Sequence, residues 1–538
     1  MSVYLISELG ALPDDVEEVA YRSYGSPSTF GDASIKQLKR LRHLRTLRLG
    51  SAKRLTDAGL RALVAVAPAL ETLELGDAYA LTEAGLAALA DLPLRSLTLW
   101  RVPALTSVAP LRGLRLRHLR VGACYDLDAP ALTALEHFED LESVELFRQR
   151  VTTTALQALS RMPRLRALQL NHHDDTMVRR GVYAGLAGAS ALERLAVSRP
   201  LSRAEAEALA GLPRLQALSL KVRHPRDVAE QAPLGALGGE LHVEIDDALA
   251  TDDRAVRALP DGLPGVTALE PPPAFDDGFS LTRASVSAIA RLRHLRWLDL
   301  GGHEALADRS LWPLTELDHL TALGLSSLPG LTPKVTGILA NMPSLKELDL
   351  SWCALEPDAL GPLLASSVER LSVGGCEGLG SAGVGALAGL RSLKGLGVRG
   401  IPLEDDALER LGGLPALEHL LLDLGAVSAA GFTAMGRAPA LQQLDVMGMS
   451  APLTDAMLAG LAASPTLKTL AFAQEVDASA ISDDALRALR VRALEVSCKP
   501  TRATRAALRR AGTFFTNSGE HVGGYRALSR PWEQDAPL

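Results

Sequence analysis

Residues 342–367 read MPSLKELDLSWCALEPDALGPLLASS, and this stretch holds one complete structural unit. After Pro343, the leucines Leu345, Leu348 and Leu350 form an L-x-x-L-x-L run. Leu348 and Leu350 alternate with Asp349, the period of a short strand that turns its leucines inward and Glu347, Asp349 and Ser351 outward. Beyond Cys353 and Leu355, the triplet Glu356-Pro357-Asp358 is a helix-start signal, with proline and acids in the first turn. Ala359, Leu360, Leu363 and Leu364 then recur at helical spacing. A strand this short and a helix of two or three turns cannot bury their apolar faces alone. Stacking further copies supplies each leucine with a neighbour above and below.

The copies are present. The central strand residues are Leu47, Leu73, Leu97, Leu119, Val144, Leu168, Leu195, Leu218 and Leu241, then, after a weaker unit at Leu269, Leu298, Leu323, Leu348, Leu371, Leu396, Leu420, Leu444, Leu470 and Leu494. Away from Leu269 the spacing runs from 22 to 27 residues, which makes nineteen readable units. Val16, Val19 and Tyr21 suggest a degenerate twentieth ahead of them. Cys124, Cys353 and Cys376 fall at the ninth position of L-x-x-L-x-L-x-x-N/C. With the corners LTDAGL (55–60), LTEAGL (81–86), LTDAML (453–458) and ISDDAL (481–486), the chain resembles the leucine-rich repeat family, in its cysteine-containing and ribonuclease-inhibitor-like subtypes. Ala52, Ala78, His173 and Met449 depart from Asn/Cys at the ninth position. The resemblance implies an α/β solenoid of about 19–20 repeats: a right-handed horseshoe with a parallel sheet on its concave face and helices on its convex face.

The pattern divides the chain into an N-terminal cap (1–40), a first array (41–223), an irregular section (224–280), a second array (281–496) and a basic C-terminal cap and tail (497–538). Acidic pairs at 246–247 and 252–253 and the run Glu270-Pro271-Pro272-Pro273 interrupt the irregular section. A chain of 538 residues would otherwise split into compact domains, but a solenoid core grows along one axis. The net charge of −7 argues against wholesale nucleic-acid binding, although ten Lys/Arg between Arg487 and Arg530 leave that open for the C-terminal cap. The same charges also serve simply to keep a solenoid end soluble. Four cysteines, three of them at repeat positions, read as small buried hydrophobes in a reducing compartment. No basic leader and no 18-residue apolar run is present, so a cytoplasmic monomer with no membrane span is expected. Abundant Leu, Ala, Arg and Gly with little Lys suggests a GC-rich bacterial genome.

Catalytic motifs do not survive the same reading. The cluster His172-His173-Asp174-Asp175 is the one metal-like grouping, but adjacent residues seldom chelate an ion without distant partners. A metal-dependent enzyme built on 172–175 is therefore the weakest reading, and no cofactor is expected. The aspartate pairs at 405–406 and 483–484 precede Ala-Leu helix starts and read as caps. Cys124-Tyr125-Asp126 matches the Cys-x-Asp of bacterial ubiquitin ligases that carry leucine-rich repeats, but Cys124 sits at a repeat position. Walker A, H-E-x-x-H, C-x-x-C and G-x-S-x-G sequences are absent.

Function is expected instead on the sheet face that turns away from the leucine core. Trp100, Arg101, Arg120, Phe147, Arg148, Asn171 and His172 cluster within four successive units, the composition of a protein-binding hot spot. Trp100 and Phe147 share a column two strands apart, which spaces them by roughly 10 Å. A second, acidic patch combines Trp297, Asp299, Glu347, Asp349 and Trp352. The expected function is a non-catalytic scaffold that binds a protein partner. The alternative is an inhibitor or immunity-type protein that blocks a partner enzyme.

Overall fold

The structure is a computed structural model that describes residues 16–21, 30–103, 105–127, 129–171, 178–245, 253–272, 279–498, 500–516 and 528. The cap residues 1–15, the cluster 172–175, the acidic pair 246–247 and Asp252, Pro273 and nearly all of the expected tail lie outside the described residues. The chain forms two compact units that divide between Glu244 and Ile245.

The first unit stacks short parallel strands: β1 (Glu18–Tyr21), β2 (Thr46–Leu49), β3 (Thr72–Gly76), β4 (Ser96–Trp100), β5 (His118–Gly122), β6 (Ser143–Phe147), β7 (Ala167–Asn171), β8 (Arg194–Ala196) and β9 (Ala217–Val222). It ends at β10 (Glu240–Ile245), which pairs with β9. The register is that of the repeat: Val19, Leu47, Leu73, Leu97, Leu119, Val144, Leu168, Leu195 and Leu218 stand side by side. The degenerate unit at Val19 is thus a true first strand. The second unit carries β11 (Ala268–Glu270), β12 (Trp297–Asp299), β13 (Ala322–Gly324), β14 (Glu347–Asp349), β15 (Arg370–Ser372), β16 (Gly395–Leu403), β17 (His419–Leu424), β18 (Gln443–Met449), β19 (Thr469–Phe472), β20 (Ala493–Glu495) and β21 (Phe514–Thr516). Its in-register column runs from Leu269 and Leu298 through Leu348 to Leu494 and ends on Phe515. β21 is a strand where the sequence pattern had stopped. Phe514 and Phe515 supply β propensity without the leucine spacing, and a helix, Arg502–Arg510, leads into it.

In both units the fourth and sixth repeat positions are buried, so the core lies between strands and helices; the third, fifth and seventh are mostly half-buried in the first unit, while several fifth positions of the second are buried. The helices are short and partly 3₁₀. Residues 357–365 form a 3₁₀ helix instead of the expected α turns, because Pro362 has no N–H to give to an α ladder. The LTDAGL corners lock the helices together. Thr56 caps helix Asp57–Val66 by accepting from Ala58 N, while its own N–H and hydroxyl are donated to Asp32 of the preceding repeat at 2.8 and 2.7 Å. Asp57 does the same for Thr82, Asp308 for Thr332, Asp405 for Ser428 and Asp483 for Thr501. The glycine of the corner is required by this ladder. A Cβ on Gly59 would stand 2.0 Å from Asp32 Oδ1, and one on Gly85 2.1 Å from Asp57 Oδ1. The aspartates at 405 and 483 therefore cap helices, each in the repeat that follows.

At the other end of several strands the eighth position turns left-handed: Asp77 (φ 51°), Arg101 (52°), Ala123 (53°) and Arg148 (55°) in the first unit, Ser327 (55°) and Trp352 (61°) in the second. For a non-glycine residue this conformation costs about 1–2 kcal/mol. The cost is offset because each N–H then donates to the seventh-position carbonyl of the next repeat: Asp77 to Trp100, Arg101 to Gly122, Ala123 to Phe147 and Arg148 to Asn171, all at 2.9–3.0 Å. The ladder extends past the strand while the chain turns toward its helix.

Candidate functional site: the helix-free face

In the first unit the seventh-position column reads Gly76, Trp100, Gly122, Phe147, Asn171 across adjacent strands. Gly122 decides the geometry. A Cβ there would lie 2.2 Å from the Trp100 ring, so the indole folds flat over the glycine. It thereby reaches Phe147, and the two rings meet with centroids 4.8 Å apart at an interplanar angle of 42°. The roughly 10 Å gap expected from strand spacing is closed, and the aromatics form a contacting pair in the range where ring interactions add about 0.5–1.5 kcal/mol. Both rings stay half-buried.

Two guanidinium groups flank the pair. Arg120, from the fifth position of β5, lies 5.8 Å from the Trp100 centroid, and Arg148 lies 5.6 Å from that of Phe147. Arg120 Nε is also 3.1 Å from a Glu145 oxygen. Burial pushes the Glu145 carboxyl above the usual range, against the lowering by Arg120. Arg101 reaches Asp77 at 3.4 Å, and Tyr79 donates to the same oxygen at 3.1 Å. Asn171 ends β7 with its carbonyl held by Arg148 N, and His172 lies outside the described residues. The structure thus brings Trp100, Arg120, Phe147 and Arg148 together, with Arg101 and Asn171 on adjoining positions. Exposed Tyr79 and Tyr125 were missed by the sequence reading. Both stand at the tenth repeat position, and that shared offset is a signal a column-by-column reading could have used.

The second patch does not survive intact. Trp297 is a correction: it is 2% exposed, packed between Ala268 and Ala322 with Leu528 against it, and does not present its ring to a partner. Asp299 and Asp349 close tight turns by accepting from Gly301 N at 3.0 Å and Ser351 N at 2.9 Å. Burial raises the Asp349 carboxyl, with Ser351 lowering it and Asp299 raising it further. Trp352 alone is open, at 65%, its indole lying over Gly375 as Trp100 lies over Gly122.

The three cysteines at repeat positions are buried with their thiols engaged. Cys124 Sγ lies 3.5 Å from Gly122 O, Cys353 3.1 Å from Leu325 O and Cys376 3.1 Å from Leu350 O, so each thiol donates to a backbone carbonyl. Burial pushes Cys124 up to about 11 and Cys376 to about 12, well away from a reactive thiolate. Among the described residues no group of three His, Cys, Asp or Glu could hold a metal ion, and no helix is long and apolar enough to cross a membrane.

A family profile described as Leucine Rich repeat matches residues 40–64 and 341–364. No curated protein sequence matches the chain. The fold is similar to that in the crystal structure of the mouse RP105/MD-1 complex, at 17% identity over 93% of this chain and 90% of that one, with a TM-score of 0.50. Weaker similarity extends to the TLR13–ssRNA13 complex (18% identity, 93% and 68% covered, TM-score 0.45) and to the yeast Rad7 and Elc1 complex (15%, 61% and 81%, TM-score 0.40).

Proposed function

We propose, on the premise that this chain is a leucine-rich repeat protein of α/β solenoid fold, that it is a non-catalytic scaffold that binds a protein partner through the helix-free face of its first unit. One observation carries the reading: the Trp100–Phe147 ring pair, half-open and flanked by two guanidinium groups. Its strands are held in register on both sides, so the rings are ordered before a partner arrives and little side-chain entropy is lost on binding. Aromatic and arginine side chains concentrate binding energy in this way. An acidic or amide-rich protein surface fits them, pairing with Arg148 and Arg120 while it covers the rings. Four free thiols, three of them buried, favour a reducing, cytoplasmic setting for this encounter.

The test is affinity capture of partners from the native host with the full chain, repeated with Trp100→Ala, Phe147→Ala and Arg148→Ala combined. The triple variant is expected to keep the wild-type circular dichroism and to lose at least ~2 kcal/mol of binding. The control pairs Trp312→Ala with Trp352→Ala, both exposed in the second unit. Capture undiminished by the triple variant would rule this face out.

A further inference from the structure

The fifth-position column differs between the two units. In the first unit Arg48, Glu74, Thr98, Arg120, Glu145, Gln169, Ala196 and Ser219 are half-buried or exposed, as side chains on an open sheet face should be, and only Ala20 and His242 on its two end strands are buried. In the second unit Gly397, Leu421, Asp445, Ala471 and Glu495, adjacent on five consecutive strands, are all buried, Asp445 at 2% exposure. These positions turn away from the leucine core, so neither their own helices nor their neighbours' cover them. Further along the same face the third-position Trp297 is covered too, and there the cover is seen: Leu528 packs on the Ala268–Trp297–Ala322 cluster. Its Cδ1 lies 2.8 Å from where a Cβ on Gly324 would stand, so glycine at that position makes the seat.

We propose that the helix-free face of the second unit is a docking surface for the chain's own C-terminal segment, anchored by Leu528 on Trp297, which a partner binding this face must displace. Chain length fits. β13, where Leu528 meets Gly324, and β21 are linked by eight successive lateral pairings, about 38 Å at ~4.8 Å each. The connection from Thr516 to Leu528 is twelve residues, a reach of about 40 Å. That suffices for the direct route along the sheet face and not for a detour around the helices. Near the anchor the charges are opposite: Arg526 and Arg530 flank Leu528 in sequence, and the strands beside Trp297 carry Asp299 and Asp349. The anchor needs an apolar side chain small enough to rest between Gly324 and an indole, and leucine meets that. Coverage by an intramolecular ligand also explains why an acidic, tryptophan-bearing surface that looks exposed by sequence is not.

Hydroxyl-radical footprinting of the full chain, read by peptide mass spectrometry, tests this. Trp297 is expected to oxidise slowly in the wild type and several-fold faster in Leu528→Arg, with Trp100 in the first unit unchanged. A synthetic peptide of residues 517–538 with the wild-type sequence should restore protection of Trp297 in that variant. An unchanged Trp297 rate in Leu528→Arg overturns the proposal. Wild-type protection that falls on dilution also overturns it, because the segment would then come from a second copy. If Trp100 accelerates as well, the milder Leu528→Ala decides: a rise confined to Trp297 supports the proposal, and a rise at both or neither refutes it.

Discussion

Arg199→Met probes the most buried polar cluster of the first unit. Arg199 and Glu205 are both buried, with guanidinium and carboxylate joined by two bonds of 2.6 and 3.2 Å. Arg199 also donates to the carbonyls of Val178 at 3.0 Å, Pro200 at 2.7 Å and Arg179 at 2.6 Å, and lies 4.7 Å over the Tyr183 ring. Glu205 closes the capping box of helix Arg203–Ala210 and accepts from Tyr183 N at 3.0 Å. Methionine keeps the apolar stem but strands the carboxylate, a change that costs about 3–5 kcal/mol. The donors left at Ser202 and Tyr183 hold the expectation to about 4 kcal/mol at neutral pH. The pH dependence carries the sign. In the wild type burial raises the Glu205 carboxyl, but Arg199 and Ser202 outweigh it and the net shift is down. Its contribution to stability is therefore present above the usual carboxylate range and lost as pH falls through the lowered value. Removing Arg199 takes away its hydrogen bond and charge and leaves burial opposed only by Ser202, so the carboxyl rises and protonation relieves the variant. Urea unfolding followed by circular dichroism should show a large deficit at pH 7 that shrinks toward pH 4, and Arg199→Met with Glu205→Met should recover most of it. A deficit independent of pH would mean that the loss is packing against Tyr183, and the ion-pair argument would be wrong.

Leu348→Asp places a charge at a fully buried position between Leu323 and Leu371, and urea unfolding should show a loss of about 3–5 kcal/mol; an unchanged midpoint would refute the strand register. Burial pushes Asp445 up to about 6, with Gln443 lowering it and Glu495 raising it, so the ionised form opposes folding and stability falls as pH rises from about 4 through about 6. Asp445→Asn should then stabilise by about 3 kcal/mol at pH 7 and by almost nothing at pH 3.5, read as the difference between thermal melts at the two values. Gly59→Val should lower the melting temperature by breaking the contact with Asp32, and Asp32→Ala in the same chain should return part of it, measured by calorimetry.

The repeat itself was legible in the sequence because its determinants are local. A leucine at the fourth position faces the core wherever the strand period holds, so every strand centre from Leu47 to Leu218 stands where the spacing predicts. The corner chemistry was half legible: Thr56-Asp57 reads as a cap, but that Asp57 serves Thr82 depends on stacking. What only tertiary structure decided are contacts between residues far apart in sequence or across a gap. Trp100 meets Phe147 because Gly122 lets an indole lie flat between them, a fact no single column records. Arg199 and Glu205, six residues apart, join a cluster that Val178 and Tyr183 of the preceding repeat complete. Trp297 looked exposed because pattern reading counts the side chains a strand turns outward; that outward face lies against Leu528, more than two hundred residues along the chain. Periodicity encodes which way each side chain points, and only the folded chain determines what is there to meet it.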